Sequence, residues 1–246
     1  MGTSALQQFY DRYHEKNDHF HALIGRGNTT YWYILQLLHS AVLSEAIRGE
    51  VMDVGCGVGT LSLYLSQFSK SILGIDVSER AVGIAEAARA SLKIKNVVFK
   101  KEELTKKTGI FDLIICSEVI EHVSDDDHFL ELLRANLKID GHLLLTTPSC
   151  QNLLYRLEYY RQFDAEVGHV RRYTEAELLR KLDAAGFEYV QIRSVEGPLR
   201  NILFTSRLGF LLRFIRGPLV PVFHWFDGFS ARLFGASDIQ VIARAV

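Results

Sequence analysis

The sequence has few of the residues that cross-link secreted proteins or form structural metal sites. Only three of its 246 residues are cysteines, and they are scattered singly at Cys56, Cys116 and Cys150. No two of them have the spacing of a zinc site or a redox pair, so we expect a reducing compartment. The first residues also lack the charged-then-apolar pattern of a signal peptide. These absences predict a cytoplasmic location.

An excess of charge and a long unbroken apolar run are missing as well. The formal net charge is -1, which gives no reason to expect nucleic acid as a partner. The most apolar late stretch, LGFLLRFIRGPLVPVFHWF, is interrupted by Arg213, Arg216, Pro218 and Pro221. A membrane-spanning helix needs about 20 largely uncharged residues, so we do not expect one here.

The sequence does contain a regular alternation of short apolar runs and helical segments. The runs EVMDV, SILGID, NVVF, FDLIIC and GHLLLTTP are separated by segments such as SERAVGIAEAARASL and DDDHFLELLRANL. This alternation predicts an α/β protein with a parallel sheet covered by helices. Further predicted elements are helices at 4–18 and 29–48, a helix from Thr174 to Gly186 that begins with a capping box, and strands at 187–194 and 239–244.

The stretch VMDVGCGVGT places Gly55, Gly57 and Gly59 between a predicted strand and a predicted helix. Glycines there let a ligand touch the backbone at the start of the helix. Asp53 just before them would repel a pyrophosphate, whereas it suits an ammonium or sulfonium group. The alternative is a tight strand-to-helix turn that binds no ligand.

Acidic residues follow the next two predicted strands. Asp76 lies 21 residues after Gly55, where a carboxylate accepts hydrogen bonds from both hydroxyls of a ribose. Asp76 could instead cap the next helix, although Ser78 is placed for that role. Glu102 and Glu103 could accept a hydrogen bond from an adenine amino group, or could belong to an exposed charged turn.

These motifs, together with FDLIICSEVIEHV and LKIDGHLLLTTPS, resemble class I S-adenosylmethionine-dependent methyltransferases in order and spacing over residues 50–195. SEVIEHV and GHVRRYTEAELLRKLDAAGF resemble the ubiquinone-biosynthesis O-methyltransferase branch. The resemblance implies a doubly wound, mostly parallel, seven-stranded Rossmann-like sheet whose last strand, IQVIAR, is antiparallel. It also implies a cofactor site for S-adenosylmethionine, with S-adenosylhomocysteine as product. The expected cofactor-binding residues are Asp53, Gly55, Cys56, Gly57, Gly59, Asp76, Val77, Glu102, Glu103, Cys116, Ser117 and Glu118.

Methyl transfer needs a positioned nucleophile and a base that removes its proton. SEVIEHV offers Glu118, Glu121 and His122, which would share one face of a helical turn and could hold a divalent cation. In the branch that this sequence resembles, the same set is similar to a magnesium site. Two alternatives stay open. In one, Glu118 faces the cofactor and His122 packs beneath it without metal; in the other, His122 is the base.

A second candidate base is His169 in EVGHVRRYT. In the related branch, loops at this position line the acceptor pocket. Arg171, Arg172 and Tyr173 could bind an anionic or phenolic acceptor there. The alternative is a loop whose arginines only pair with nearby acids.

The tail differs from the family pattern, because related proteins often join the last two strands by a short hairpin. From Pro198 to Val246 there are six arginines, no lysine, two acids and seven of the fifteen phenylalanines. A hydrophobic cap, a dimer surface and a membrane-surface patch are all compatible with this composition, as are two extra helices packed in the core. Pro218 and Pro221 are expected to divide the segment into two pieces.

The sequence therefore predicts one methyltransferase domain over residues 1–246. Its expected parts are an N-terminal helical cap at 1–49, a cofactor-binding core at 50–194, a helical insertion at 195–238 and the last strand at 239–246. The expected acceptor is an oxygen of a small or lipid-linked molecule. N- or C-methylation and a non-catalytic cofactor-binding relative are alternatives, and a nicotinamide-dependent dehydrogenase is disfavoured by the acid in the glycine motif. Peripheral membrane contact through 195–238 and a homodimer stay open.

Overall fold

A computed structural model describes residues 23–25, 28–206, 214–215 and 217–246. The helix predicted at 4–18 lies outside these ranges. The strands are β1 (Glu50–Val54), β2 (Ser71–Asp76), β3 (Val97–Lys101), β4 (Phe111–Ser117), β5 (Leu137–Pro148), β6 (Phe187–Val195) and β7 (Asp238–Ala245). The helices are α1 (Trp32–Leu38), α2 (Thr60–Leu65), α3 (Glu79–Ser91), α4 (Asp126–Ala135), α5 (Leu153–Arg156), α6 (Arg161–Val167), α7 (Glu175–Ala184), α8 (Pro198–Thr205) and α9 (Leu219–Phe234).

The seven strands form one sheet in the order β3-β2-β1-β4-β5-β7-β6. The pairs among β1 to β5 are parallel, whereas β7 is antiparallel to both β5 and β6. The predicted doubly wound sheet with one antiparallel strand is therefore confirmed. The order reverses at β1, which lies between β2 and β4, and such a reversal opens a crevice at the carboxyl ends of the strands.

The central strands are covered on both faces, as their continuous apolar runs indicate. In β4, the side chains from Leu113 to Cys116 are fully buried. Val51 and Leu113 belong to one core cluster, whereas Met52 and Ile114 belong to the cluster on the other face. This double burial fixes the strand register, because a slip by one residue would exchange the two sets of side chains.

The helix predicted at 29–48 is wrong in its length. Helix α1 ends at Leu38, and only two short 3₁₀ turns follow it, at Ala41–Leu43 and Ala46–Arg48. The reason lies at Ser40, whose extended backbone (φ -68°, ψ 156°) interrupts the helix. Apolar periodicity continues across this break because the 3₁₀ turns also pack against the core.

The predicted N-cap residues of two helices are confirmed. The Thr174 hydroxyl accepts a hydrogen bond from the Glu177 N–H at 3.2 Å, and α7 begins at Glu175. Gly186 follows the helix with φ +83°, a conformation that favours glycine. Ser78 caps α3 by accepting from the Ala81 N–H at 3.1 Å, which leaves Asp76 available for another role.

The helical insertion is present between β6 and β7 and contains α8 and α9. Because β6 runs in the same direction as β5, the insertion leaves the sheet at its carboxyl edge. Pro218 is the N-cap residue of α9 and Pro221 lies in its first turn. The two prolines therefore begin the second helix, where a missing backbone N–H costs little.

A buried carboxylate attaches the insertion to the rest of the fold. Asp227 of α9 is fully buried and accepts hydrogen bonds from the Tyr33 hydroxyl (3.0 Å), the Gly197 N–H (2.9 Å) and the Arg200 N–H (2.8 Å). One side chain thus joins α1, α8 and α9 above the carboxyl edge. No helix in the described ranges combines the length and apolarity needed to cross a bilayer.

Candidate active site

The glycine loop between β1 and α2 has left-handed backbone conformations at Gly55, Gly57 and Gly59, with φ of +69°, +52° and +80°. A Cβ at Gly55 would lie 2.4 Å from a methyl carbon of Val119, and one at Gly59 would lie 2.5 Å from the ring of Phe99. Gly55 and Gly57 line a cavity, whereas Gly59 packs against the protein itself. The prediction that all three glycines face a ligand is therefore corrected for Gly59.

Three other predicted cofactor contacts are buried in the core. Asp53 is 3% exposed and accepts a hydrogen bond from the Ser62 hydroxyl at 2.5 Å, and burial raises its pKa to about 7. Cys56 and Cys116 belong to the two apolar clusters. The predicted contact of these two side chains with the cofactor is corrected, because both thiols pack in the apolar clusters and not in the cavity.

Asp76 lies at the carboxyl end of β2, as the sequence predicts. Its Oδ2 accepts from the Gly57 N–H and its Oδ1 from the Ser78 N–H, both at 2.8 Å. Two backbone donors therefore fix the carboxylate at the rim of the cavity. Val77, Glu102 and Glu103 line the same end of the cavity.

The cavity measures about 1020 Å³ and extends along the carboxyl edge from the glycine loop to the start of β7. Ser117 and Glu118 line its middle. Glu118 has φ +56°, which is unfavourable for a residue with a side chain and is typical of functional positions. The Thr146 hydroxyl donates to Glu118 Oε1 at 2.6 Å and fixes this carboxylate.

Beside Glu118, a carboxylate and two imidazoles come together. Glu121 is fully buried, and its Oε1 lies 3.8 Å from Nε2 of His122 and 3.8 Å from Nε2 of His169. The Thr147 hydroxyl donates to Glu121 Oε2 at 3.1 Å, whereas Oε1 has no hydrogen-bond partner within the part of the chain that is described. Burial, followed by the nearby Glu118, raises the pKa of Glu121.

The opposite nitrogen of each imidazole is held in place. His122 Nδ1 lies 3.2 Å from the Gly168 carbonyl, and His169 Nδ1 lies 2.9 Å from Asp164 Oδ1. Arg172 donates to both oxygens of Asp164, at 2.9 and 2.7 Å. Burial opposes ionisation of Asp164, but the hydrogen bonds from His169 and Arg172 outweigh it and lower the pKa. Burial, followed by repulsion from His169, lowers the pKa of His122 to about 4.

Glu121, His122 and His169 can each offer one ligand atom, and these atoms lie within 4.8 Å of one another. This group differs from the predicted set in one residue, since His169 takes the place of Glu118, which bonds to Thr146. Two imidazoles and one carboxylate are the donors typical of zinc and similar transition ions, whereas magnesium prefers oxygen ligands. The residues fit a transition ion better than the magnesium expected from the sequence.

The predicted acceptor-binding trio is divided by the structure. Tyr173 is fully buried, and its hydroxyl donates to Asp126 at 2.8 Å. Arg171 also pairs with Asp126, at 2.8 Å. Only Arg172 lines the cavity, with its guanidinium 4.4 Å from the ring centre of Tyr160. Acceptor binding by Arg171 and Tyr173 is therefore corrected, because the Asp126 carboxylate takes both groups.

Several cavity residues are absent from the sequence-based prediction. They are Tyr33 of α1, Tyr160 just before α6, Glu196 just before α8, Arg200 of α8, and Asp238 and Gln240 at the start of β7. The signal that could have revealed two of them is the polar pair Asp238 and Gln240 at the start of a strand that continues with the apolar residues VIA. Both side chains are buried, and buried polar groups at a strand end often belong to a site.

Comparisons with known proteins agree with this architecture. A family profile described as a methyltransferase domain matches residues 31–192. The ubiquinone biosynthesis O-methyltransferase of Coxiella burnetii is 31% identical over 175 residues, which cover 64% of this chain and 71% of that protein. The human mitochondrial protein of the same name is 33% identical over 114 residues, covering 44% of this chain and 31% of that one.

The chain belongs to the class I S-adenosylmethionine-dependent methyltransferases. Among solved structures, magnesium protoporphyrin IX methyltransferase from Synechocystis PCC 6803 with bound S-adenosylhomocysteine has a TM-score of 0.67 at 17% identity and covers 99% of each chain. The (4+2)-cyclase SpnF has a TM-score of 0.69 at 19% identity and covers 99% of this chain and 96% of that chain. At these identities the likeness shows the fold of the methyltransferase and leaves its acceptor to the site chemistry.

Proposed function

We propose that this methyltransferase acts on an oxygen of a small molecule, with His169 as the general base. The observation that carries the proposal is the chain of contacts from Arg172 through Asp164 to His169 inside the cavity. An imidazole whose Nδ1–H donates to a carboxylate presents an unprotonated Nε2 as a proton acceptor. The relatives from Coxiella burnetii and humans are O-methyltransferases, which supports oxygen as the nucleophile.

In this proposal, Gly55 and Gly57 lie against the methionine part of the cofactor. Asp76 accepts hydrogen bonds from the ribose hydroxyls, and Glu102 or Glu103 accepts one from the adenine amino group. Ser117 and Glu118 border the reactive end. Bound S-adenosylmethionine supplies a methyl group on a positively charged sulfur, so the chain needs only to position and deprotonate the nucleophile.

His169 Nε2 takes the proton from the acceptor hydroxyl as the new bond forms. The ionised Asp164 then stabilises the imidazolium, and Arg172 keeps that carboxylate in position. A positioned base of this kind contributes roughly 10²- to 10⁴-fold to a rate. The low pKa of His122 makes it a poorer base, because it holds the proton weakly.

A second candidate uses the same residues to hold a divalent ion. The unpartnered Oε1 of Glu121 between two Nε2 atoms favours it. In that case His169 would be a ligand of the ion, and the ion would act as a Lewis acid that lowers the pKa of the acceptor hydroxyl. Glu121 and His122 would complete the protein's part of the site.

The two candidates are distinguished by chelation. Transfer of a labelled methyl group from S-adenosylmethionine to an ortho-dihydroxybenzene probe is measured before and after treatment with a chelator. If His169 is a base, activity persists after chelation and His169→Gln abolishes it. If the ion is required, activity disappears on chelation and returns with added Zn²⁺ or Mn²⁺. S-adenosylhomocysteine binding, measured by calorimetry, should persist in every case.

We also propose that the insertion at 195–238 completes the acceptor side of a single domain spanning 1–246 and brings it to a membrane surface. One side of α9 is exposed and apolar, at Leu219, Val222, Trp225, Phe226, Phe229 and Leu233. Among the described residues of α8 and α9, the acid Asp227 is buried and Arg232 is exposed. Such a surface suits anionic lipid head groups and a lipid-linked acceptor.

Flotation with anionic liposomes at low and high salt tests this part of the proposal. Binding should weaken as salt rises, because attraction between exposed charges is screened beyond about 10 Å at 0.1 M salt. Trp225→Ser should reduce the bound fraction. The contrary outcome is a protein that does not float with the liposomes and that sediments as a dimer. If Trp225→Ser then converts the dimer to a monomer, α9 is a subunit interface.

A further inference from the structure

Two side chains at the start of β7 have hydrogen-bond acceptors that the chain itself does not satisfy. Asp238 and Gln240 are 7% and 3% exposed, and both line the cavity. Gln240 Nε2 donates to Asp238 Oδ2 at 3.1 Å. Asp238 Oδ1 and Gln240 Oε1 have no partner within the described ranges. Buried polar atoms are nearly always paired in folded proteins, so an unpaired set in a cavity indicates a bound group.

The position of this pair separates it from the cofactor residues. Across the sheet, Pro148 is the register partner of Asp238 and Thr146 is the partner of Gln240. Thr146 is the residue that donates to Glu118, so the pair lies next to the reactive centre. Strand β7 is three strands from β1, which corresponds to about 14 Å at a spacing of about 4.8 Å. The glycine loop therefore lies at the opposite end of the cavity.

The neighbouring side chains that carry hydrogen-bond donors, Arg200 and Asn201, bond to other groups of the protein. The guanidinium of Arg200 pairs with Glu196 and donates to the Thr30 carbonyl at 2.9 Å. Asn201 donates to the Gly197 carbonyl at 3.0 Å and also to Ser237. Glu118 and Glu196 line the same cavity as Asp238, and their carboxylates, after burial, raise the pKa of Asp238. A complementary ligand supplies donors.

We propose that Asp238 and Gln240 form a subsite for a part of the methyl acceptor that carries two hydrogen-bond donors. A vicinal diol and a primary ammonium group both have this chemistry, since each directs two O–H or N–H bonds at neighbouring acceptors. The inference rests on the proposed function, because it assumes that this end of the cavity receives the acceptor. It adds a substrate class, since an acceptor with only apolar groups beyond the reacting oxygen would leave both acceptors unpaired.

The test compares three probes of similar size on protein saturated with S-adenosylhomocysteine. Saturation-transfer NMR gives the affinities of cis-1,2-cyclohexanediol, protonated cyclohexylamine and cyclohexanol. We expect the diol or the amine to bind at least tenfold more tightly than cyclohexanol. Gln240→Leu should reduce that ratio at least fivefold. Arg244→Ala, at the other end of β7 in an exposed pair with Glu188, is the matched control and should leave the ratio unchanged.

A charge-removing variant distinguishes the two sources of donors. A bound ammonium favours the ionised carboxylate, and Asp238→Asn retains an oxygen acceptor but cannot ionise. The variant should therefore weaken the amine at least fivefold and change the diol less than threefold. Equal affinities of the parent protein for all three probes would overturn the subsite, and this comparison needs no variant to fold. Binding of S-adenosylhomocysteine is measured first and separately. If the protein does not bind S-adenosylhomocysteine, the proposed function is contradicted. If it binds S-adenosylhomocysteine but has equal affinity for the three probes, only the subsite is overturned.

Discussion

Asp164→Asn tests the assignment of His169 as the base. Asp164 Oδ1 accepts from His169 Nδ1 at 2.9 Å and from Arg172 at 2.7 Å, and Oδ2 accepts from Arg172 Nε at 2.9 Å. Asparagine has nearly the same shape, but it replaces one oxygen by an NH₂ group and removes the charge. One of the three N–H groups of His169 and Arg172 then faces the NH₂ group of the asparagine. The imidazolium of His169 also loses its negatively charged partner.

The expected loss of rate follows from the value of one hydrogen bond to a charged group. Such a bond contributes about 1.5–3 kcal/mol, and about 1.4 kcal/mol corresponds to tenfold. We therefore expect kcat/KM for methyl transfer to fall about 10- to 150-fold. The variant also removes the charged partner of the buried Arg172, and breaking a buried ion pair costs about 3–5 kcal/mol. Because the asparagine keeps one acceptor oxygen, we expect the free energy of unfolding to fall by about 3 kcal/mol, the lower end of that range.

The effect on stability should depend on pH with a definite sign. The pKa of Asp164 is lower in the folded protein than in the unfolded chain. Its contribution to stability is therefore present above the unfolded value of about 3.9 and is lost as the pH falls through the folded value. Urea unfolding should show a large difference between parent and variant at pH 7 and a smaller one at pH 3.5.

The control is Glu166→Gln, an exposed residue on the same helix that pairs with Gln162. It should change neither transfer nor stability appreciably. S-adenosylhomocysteine affinity should stay within twofold in both variants, since neither residue belongs to the proposed cofactor contacts. A folded Asp164→Asn protein with less than a threefold loss in kcat/KM would refute His169 as a base oriented by this carboxylate.

Three further variants examine other parts of the site. Asp76→Ala should weaken S-adenosylhomocysteine binding by about 1–3 kcal/mol in calorimetry, and unchanged affinity would contradict the ribose assignment. Glu121→Gln should raise the free energy of unfolding of the metal-free protein at pH 8, because burial raises the pKa of Glu121 and its ionisation therefore opposes folding as pH rises. The same variant should abolish any rise in Tm caused by Zn²⁺, and an equal rise in both proteins would place the ion elsewhere. Asp227→Asn should lower stability by about 1–3 kcal/mol through its three lost or weakened bonds and should increase proteolysis in α8 and α9 first; resistance equal to the parent would show that Tyr33 does not anchor the insertion.

The sequence predicted the sheet because each central strand is a short apolar run, and such runs are local features. The same reasoning could not fix which face a motif residue occupies. Cys116 and Ser117 are neighbours, yet one is fully buried in the core and the other lines the cavity. Asp53 precedes the glycines but turns toward Ser62. Alternation along a strand requires a reference position, and the sequence supplied none at these residues.

The cluster of Glu121, His122 and His169 shows a second limit of sequence reasoning. Spacing at i, i+3 and i+4 suggested that Glu118 shares a helical face with Glu121 and His122. The left-handed backbone at Glu118 and the short 3₁₀ turn at Ile120–His122 break that periodicity. His169 completes the cluster from a loop far along the chain, because the ends of parallel strands meet at one edge. Tertiary contacts of this kind leave no mark in local spacing.

The three bonds to Asp227 have a consequence for exchanging parts between related enzymes. In the arrangement proposed here, the cofactor residues follow β1 to β4, whereas α1, α8 and the start of β7 line the acceptor end of the cavity. Helix α9 holds α1 and α8 in place through Asp227. An insertion transplanted from a related enzyme at 196–237 would bring its own residues for binding the methyl acceptor. It would not be anchored to Tyr33 unless it also had a carboxylate at the position of Asp227. In the proposed arrangement, the transferable unit for acceptor specificity is therefore discontinuous, and it consists of the insertion together with helix α1.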